Sequence, residues 1–224
     1  MELVSAIRER KSIRAFRPDP VKKETIREIL EIAVRAPSAT NSQPWEFHVM
    51  AGGVLDDIKR ANVEMLNAKT LPNPDFHFNY WPPGSVYQER QAELARQLFA
   101  LMGIPREDKE KRAQWLERGF RYFDAPAVII IAMDRSIPEA SQWIDIGSVM
   151  QTICLVTFDY GLATCIAYQG VMYPDVLRKI AKIPESKRLL VSIAVGYADR
   201  DFPANKVEST RASLESITTW HGFA

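Results

Sequence analysis

Residues 139–160, EASQWIDIGSVMQTICLVTFDY, constrain the fold more than any other stretch. They contain no proline and read as one long helix that ends before Gly161, which suits a helix C-cap. From Ile144 to Phe158 the segment is apolar on nearly every side, with Ile144, Ile146, Val149, Met150, Ile153, Cys154, Leu155 and Val156 spread around it. A helix without a polar face has to be buried all round. A chain of 224 residues supports one good core, so one large domain is expected. In a domain of that size a second subunit would help to bury the helix. Gly147 and Ser148 are small enough to let another helix approach, and a two-fold axis would use the same helix from both subunits.

The other elements read from periodicity and breakers. Residues 2–10 read as a short helix. Residues 21–37 place Ile26, Ile29, Leu30 and Ala33 at helical spacing, with Pro37 as the stop. Alternation predicts a strand over 45–50, and helical spacing returns over 53–68. Two helices are expected at 86–102 and 106–122. Residues 125–134 read as a buried β-branched strand. Strands at 162–168 and 188–198 flank a helix near 174–182. Helices and strands are mixed and the strands are not adjacent in sequence, which predicts an α+β fold with a helix-covered sheet.

Several function classes fall away. The net charge of +1 offers no strong basic field for a nucleic acid. No apolar run reaches the roughly 18 residues of a membrane helix, and MELVSAIRERKS has no signal-peptide pattern. A cytoplasmic location is therefore expected. Cys154 and Cys165 form no CxxC and read as reduced, buried thiols. No nucleophile elbow, P-loop, GxGxxG or HExxH motif occurs. His48, His77 and His221 are scattered, and no metal is expected.

Three features remain. In RERKSIRAFRPDPV, an extended Arg-x-Ser-x-Arg run would put Arg10, Ser12 and Arg14 on one face. Two guanidiniums flanking a hydroxyl suit a phosphate, although a solvated charge run after a helix looks the same. In APSATNSQPWEF, small and amide-bearing residues run longer than a turn requires. Residues 69–85, KTLPNPDFHFNYWPPGS, are too rich in proline for regular structure and too aromatic for a disordered linker.

Taken in order, RKSIRAFRPDPV, APSATNSQPWEF, YGLATC and the late Arg of ESTRASLE resemble the nitroreductase family of flavoproteins. The resemblance covers nearly the whole chain and is looser over 69–122, where YWPPGSVYQERQ is similar to a branch that includes nitrobenzoate reductases. It implies a mixed, mostly antiparallel sheet flanked by helices, in an obligate homodimer with FMN at the interface. By that likeness Arg10, Lys11 and Ser12 lie at the FMN phosphate and ribityl region. Arg14 lies near the N1/O2 edge of the flavin, and Arg211 reaches the phosphate. Ser209 stands where some members have a second cation. Pro37, Ser38, Ala39 and Asn41 match the segment laid against the cofactor by the partner subunit. Cys165, Ile166, Ala167 and Tyr168 match the strand end beside flavin N5, where some members carry a carboxylate that is absent here.

The same resemblance implies NADH or NADPH as electron donor and a small planar acceptor, a nitroaromatic or a quinone, reduced by a ping-pong mechanism. No side-chain acid or base is required for it, and Arg14 is the flavin-tuning candidate. Tyr80, Trp81, Tyr87 and Arg90, together with Phe76 and Phe78, are the candidates for the acceptor pocket. The whole chain, 1–224, is expected to be one domain. Residues 69–122 would be its variable insertion, and 199–224 a tail that wraps the partner. A reductive dehalogenase and a non-catalytic FMN-binding protein are the rival readings.

Overall fold

Val128 to Ile131 supply four consecutive β-branched residues, and the strand they build is buried on both faces. This strand, β2 (Ala127–Asp134), is central to a four-stranded sheet in the computed structural model, which describes residues 2–77 and 81–223. The side chains of residues 139–142 are not described. The other strands are β1 (Glu46–Ala51), β3 (Ala163–Ala167) and β4 (Lys187–Gly196). The order is β1-β2-β4-β3 and all three ladders are antiparallel. A parallel bridge between Ser12 and Thr164 makes the edge mixed.

The described residues form seven α-helices: α1 (Leu3–Glu9), α2 (Lys23–Ala33), α3 (Gly52–Asn67), α4 (Val86–Leu101), α5 (Lys109–Phe120), α6 (Glu139–Asp159) and α7 (Pro174–Ala181). Alternation along β2 divides the core. Val128, Ile130 and Ala132 pack with Leu55 and Ile58 of α3, Phe120 of α5 and Leu177 of α7. Ile129, Ile131 and Met133 pack with Ile26 and Ile29 of α2 and with Ile146, Val149 and Ile153 of α6. The expected α+β class and helix-covered sheet are therefore observed, as two helical layers around one sheet. Among the described residues no helix is long and apolar enough to cross a membrane.

Two expected helix boundaries shift. Helix α2 ends at Ala33, with Val34 as its C-cap, so Pro37 is not what stops it. Helix α5 begins at Lys109 rather than 106, because the Asp108 side chain caps it by accepting the Lys111 N–H at 2.9 Å. It is followed by three residues, Tyr122, Phe123 and Asp124, with φ of 56°, 55° and 61°. No glycine marks that turn, and its fixed point is the buried Tyr122, whose hydroxyl donates to the Gly170 carbonyl at 2.8 Å.

Within one chain α6 is not buried all round. Ile146, Val149, Ile153 and Cys154 are buried, whereas Ile144 is 80% exposed. A Cβ at Gly147 would meet nothing within 4 Å, so this side of the helix lies open. The tail also divides. Residues 203–207 dock on their own chain, with Ala204, Asn205 and Val207 buried. Leu214, Ile217, Trp220 and Phe223 beyond them are 58–78% exposed.

Candidate functional site

Helix α1 stops at Glu9, and the chain then runs extended along the edge of β3. The Ile13 N–H donates to the Thr164 carbonyl at 2.9 Å, and Arg17 N–H to Tyr197 at 2.9 Å. Ile13, Ala15 and Phe16 point into the core, while Arg10, Ser12 and Arg14 are half-buried. The one-sided placement expected of Arg-x-Ser-x-Arg is thus present. Lys11 is exposed and, with Arg10, borders a cleft of about 660 Å³.

The chemistry around Cys165 places the three polar residues together. Burial pushes the Cys165 thiol up to about 11, and Cys154 adds to the rise. Arg14, the Ser12 hydroxyl and Arg10 all act in the opposite direction. Cys154 is likewise raised by burial, opposed by Thr164 and Arg10. Both guanidiniums therefore lie within electrostatic reach of the Cys165 thiol, on the strand that Ser12 bridges. Among the described residues neither Arg10 nor Arg14 forms an ion pair with a carboxylate. Uncompensated guanidiniums beside a hydroxyl are a donor set that fits a phosphate monoester.

Asn205, which no sequence pattern singles out, sets this segment. Its Oδ1 accepts the Arg14 N–H at 2.6 Å, and its Nδ2 donates to the carbonyls of Ala15 at 2.9 Å and Asp199 at 2.7 Å. Further along β3, Cys165 and Ala167 are buried and Ile166 is 36% exposed. The Ala167 carbonyl accepts from Ser192 Oγ at 2.5 Å. The end of the strand is therefore fixed just before Tyr168.

The 36–47 stretch forms a short 3-10 turn, Ala39–Asn41, with Thr40, Asn41 and Gln43 at φ of 52°, 59° and 46°. Left-handed non-glycine residues cost of order 1–3 kcal/mol each and persist only where their surroundings hold them. Here Ser38 Oγ accepts the Gln43 N–H at 3.0 Å, and Gln43 Nε2 donates to the Asn41 carbonyl at 3.1 Å. Among the described residues, Asp145 of α6 supplies the one side-chain tether from outside the loop: its Oδ1 accepts the Ala39 N–H at 3.1 Å. Asp145 is buried, and its Oδ2 has no partner among the described residues. It is the lone carboxylate within the mostly apolar run from Ile144 to Phe158, and that was the sequence signal for it. Pro37, Ala39 and Asn41 are exposed, and among the described residues no hydrogen bond joins this loop to Arg10, Ser12 or Arg14.

Arg211 also stands apart. It is exposed, and its Nη1 donates only within its own segment, to Ser209 and to the Thr210 carbonyl. The acceptor candidates come together in part. The rings of Trp81 and Tyr87 are 5.3 Å apart. Arg90 is exposed and lies three residues on from Tyr87, on the same side of α4. Tyr80 and Phe78 fall outside the described residues. Phe76 packs at 4.1 Å against Trp143 of α6, a residue not anticipated for this site, and edge-on at 6.3 Å to Tyr168.

The profile of the nitroreductase family matches residues 7–197. A nitrobenzene nitroreductase of Ectopseudomonas oleovorans is 36% identical over 216 residues, covering 96% of this chain and 94% of the relative. The FMN and NADPH-dependent nitroreductase NfnB from Sphigopyxis sp. strain HMH superposes with a TM-score of 0.94 at 28% identity, covering 100% of both chains. The FMN-dependent nitroreductase NfnB from Mycobacterium smegmatis, solved in complex with NADPH, superposes at 0.91 with 32% identity and 97% of each chain covered.

Proposed function

The chain belongs to the nitroreductase family, and from that premise we propose that it is an FMN-dependent oxidoreductase. Two copies hold the cofactor between them, take electrons from NADPH or NADH, and pass them to a flat nitroaromatic acceptor. The observation that carries this reading is the convergence of Arg10, Ser12 and Arg14, free of carboxylate partners, on the Thr164–Cys165 edge of β3. The names of the relatives reported above support the cofactor, the donor and the acceptor class.

FMN, when bound, supplies the hydride and electron chemistry. This chain binds and orients it. Arg10 and Ser12 hold the phosphate and ribityl end, joined by Arg211 of the tail, and Lys11 adds positive charge at the rim. Arg14, whose backbone Asn205 fixes, places a guanidinium where negative charge develops on reduction. A charge positioned in advance stabilises such a state without reorganising. Cys165 to Tyr168 form the flat wall at the end of β3. Pro37, Ser38, Ala39 and Asn41 come from the second chain, presented by the loop that Asp145 tethers.

Donor and acceptor take the same place in turn, which gives ping-pong kinetics. Trp81 and Tyr87 offer ring faces to a planar acceptor, and Arg90 pairs with an acidic substituent. Residues 69–122 serve as the acceptor-pocket insertion, and the exposed end of the tail packs on the partner.

Anaerobic mixing of the yellow protein with NADPH, then with NADH, tests this. Bleaching by at least one donor and recolouring on addition of nitrobenzene are expected. A protein that stays yellow with both donors would refute the reading.

A further inference from the structure

One carboxylate fastens the described part of the aromatic segment to the body of the protein. Asp75 has a side chain only 7% exposed and accepts three hydrogen bonds. Its Oδ1 takes Arg135 Nη2 at 2.5 Å, and its Oδ2 takes Arg178 Nη2 at 2.5 Å and the Leu189 N–H at 2.9 Å. Arg178 of α7 is as deeply buried. It also donates to the Lys187 carbonyl at 3.0 Å, and its Nε lies 3.1 Å from the Glu185 carboxylate. These partners lie outside the aromatic segment, on α7, on β4 and in the turn after β2. The preceding residues are tied down too: Asn73 N–H donates to the Met172 carbonyl at 3.1 Å, and Tyr173 hydroxyl to Thr70 at 3.0 Å.

The residue after Asp75 is Phe76, whose ring meets Trp143 and Tyr168. Trp143 stands on α6, which also tethers the 36–47 loop, and Tyr168 closes the wall at the end of β3. A corner of three rings thus hangs on the placement of residue 76. Phe76 has no polar group of its own to fix it, whereas its neighbour is held by three hydrogen bonds, two of them to guanidiniums. Charged hydrogen bonds of this kind are the stronger ones and carry directional preference.

We propose that Asp75 is a positioning residue of the acceptor site: by holding Phe76 against Trp143 and Tyr168 it sets the corner on which a flat acceptor lies. This rests on the flavoenzyme reading above. A buried ion pair by itself is weak evidence for a stabilising role, and breaking one leaves an uncompensated charge. Asp75→Ala would therefore risk the fold, and Asp75→Asn, which keeps one acceptor oxygen, is the variant to use. Asp75 touches neither donor nor acceptor, so its effect has to pass through Phe76.

The experiment is a double-mutant cycle of Asp75→Asn and Phe76→Leu in the FMN-loaded, full-length protein. Its readouts are the anaerobic bleaching rate with NADPH, the KM and kcat for nitrobenzene, and Trp143 emission, taken as the difference from matched Trp143→Phe proteins. In Asp75→Asn, KM for nitrobenzene is expected to rise about tenfold, equivalent to about 1.4 kcal/mol, with the bleaching rate at saturating NADPH unchanged and Trp143 emission altered. In a Phe76→Leu background Asp75→Asn should add nothing further to KM. Additive effects on KM, or unchanged KM and emission with a lowered melting temperature, would overturn the proposal and leave Asp75 a purely structural anchor. Wild-type protein that neither nicotinamide can bleach would instead refute the flavoenzyme reading, and the acceptor role with it.

Discussion

Asp145→Ala should separate cofactor binding from folding. The substitution removes the acceptor of the Ala39 N–H, the one hydrogen bond that ties the 38–43 loop to α6. A hydrogen bond to a charged group contributes roughly 1.5–3 kcal/mol. The loop carries three left-handed non-glycine residues, so once released it relaxes away from the geometry that presents Ser38 and Asn41. If that loss falls wholly on binding, the FMN Kd rises about 10- to 150-fold. The cost to folding is smaller. Asp145 Oδ2 is buried with no partner among the described residues, and removing an unsatisfied buried group returns a penalty of roughly 1–3 kcal/mol. That return offsets the lost hydrogen bond. Asp145→Asn keeps a neutral acceptor for Ala39 and should lose about half as much binding energy as Asp145→Ala, since neutral hydrogen bonds are about half as strong as charged ones. Titration of flavin-free protein with FMN, followed by flavin fluorescence, gives Kd, and chemical denaturation of the same samples gives stability. An unchanged Kd in Asp145→Ala would refute the tether. So would a loss of stability as large as the loss in binding.

Arg10→Ala and Arg211→Ala should each weaken FMN binding about 10- to 150-fold, the worth of one charged hydrogen bond at roughly 1.5–3 kcal/mol; retention of full flavin through extensive dialysis would contradict both assignments. Arg14→Gln should retain FMN, slow its reduction and lower its midpoint potential, each 1.4 kcal/mol of lost charge stabilisation being about 30 mV for a two-electron couple; spectroelectrochemical titration reads it. Burial holds the Cys165 proton in the fold at about 11, above the ordinary thiol value of 9.0. Its contribution to stability is therefore complete below the ordinary value and lost as pH rises towards about 11. Alkylation of Cys165 in the native protein should be negligible at neutral pH, and labelling at the rate of an exposed thiol would contradict this.

The fold was legible where hydrophobic period and length agreed. The β-branched run at 128–131 and the helical spacing at Ile26, Ile29 and Ala33 each led to the observed element. Features set by distant contacts were not legible. The left-handed turn at Tyr122–Asp124 depends on a hydroxyl reaching Gly170, and Asn205 is defined by carbonyls at Ala15 and Asp199. Asp75 and Trp143 lie far apart in sequence and meet only through Phe76. At the site, Arg10, Ser12 and Arg14 are half-buried while Ile13 and Ala15 between and beside them are buried, and the bridge of Ser12 to Thr164 sets that alternation against the strand edge. Asn41 and Arg211 are exposed, and the roles proposed above for Ser38 and Asn41 call for a second subunit, which no pattern within one chain displays.

Assembly is therefore the direct test of the shared site. Ile144, exposed on α6 beside open Gly147, is the position to alter. Light scattering and flavin absorbance should be recorded together on wild-type protein during dilution, and on Ile144→Glu. The account predicts that mass and colour fall together: the dimer is yellow, and the monomer is colourless and inactive with NADPH. A stable monomer of either protein that keeps its FMN and its activity would contradict a cofactor site built from two chains.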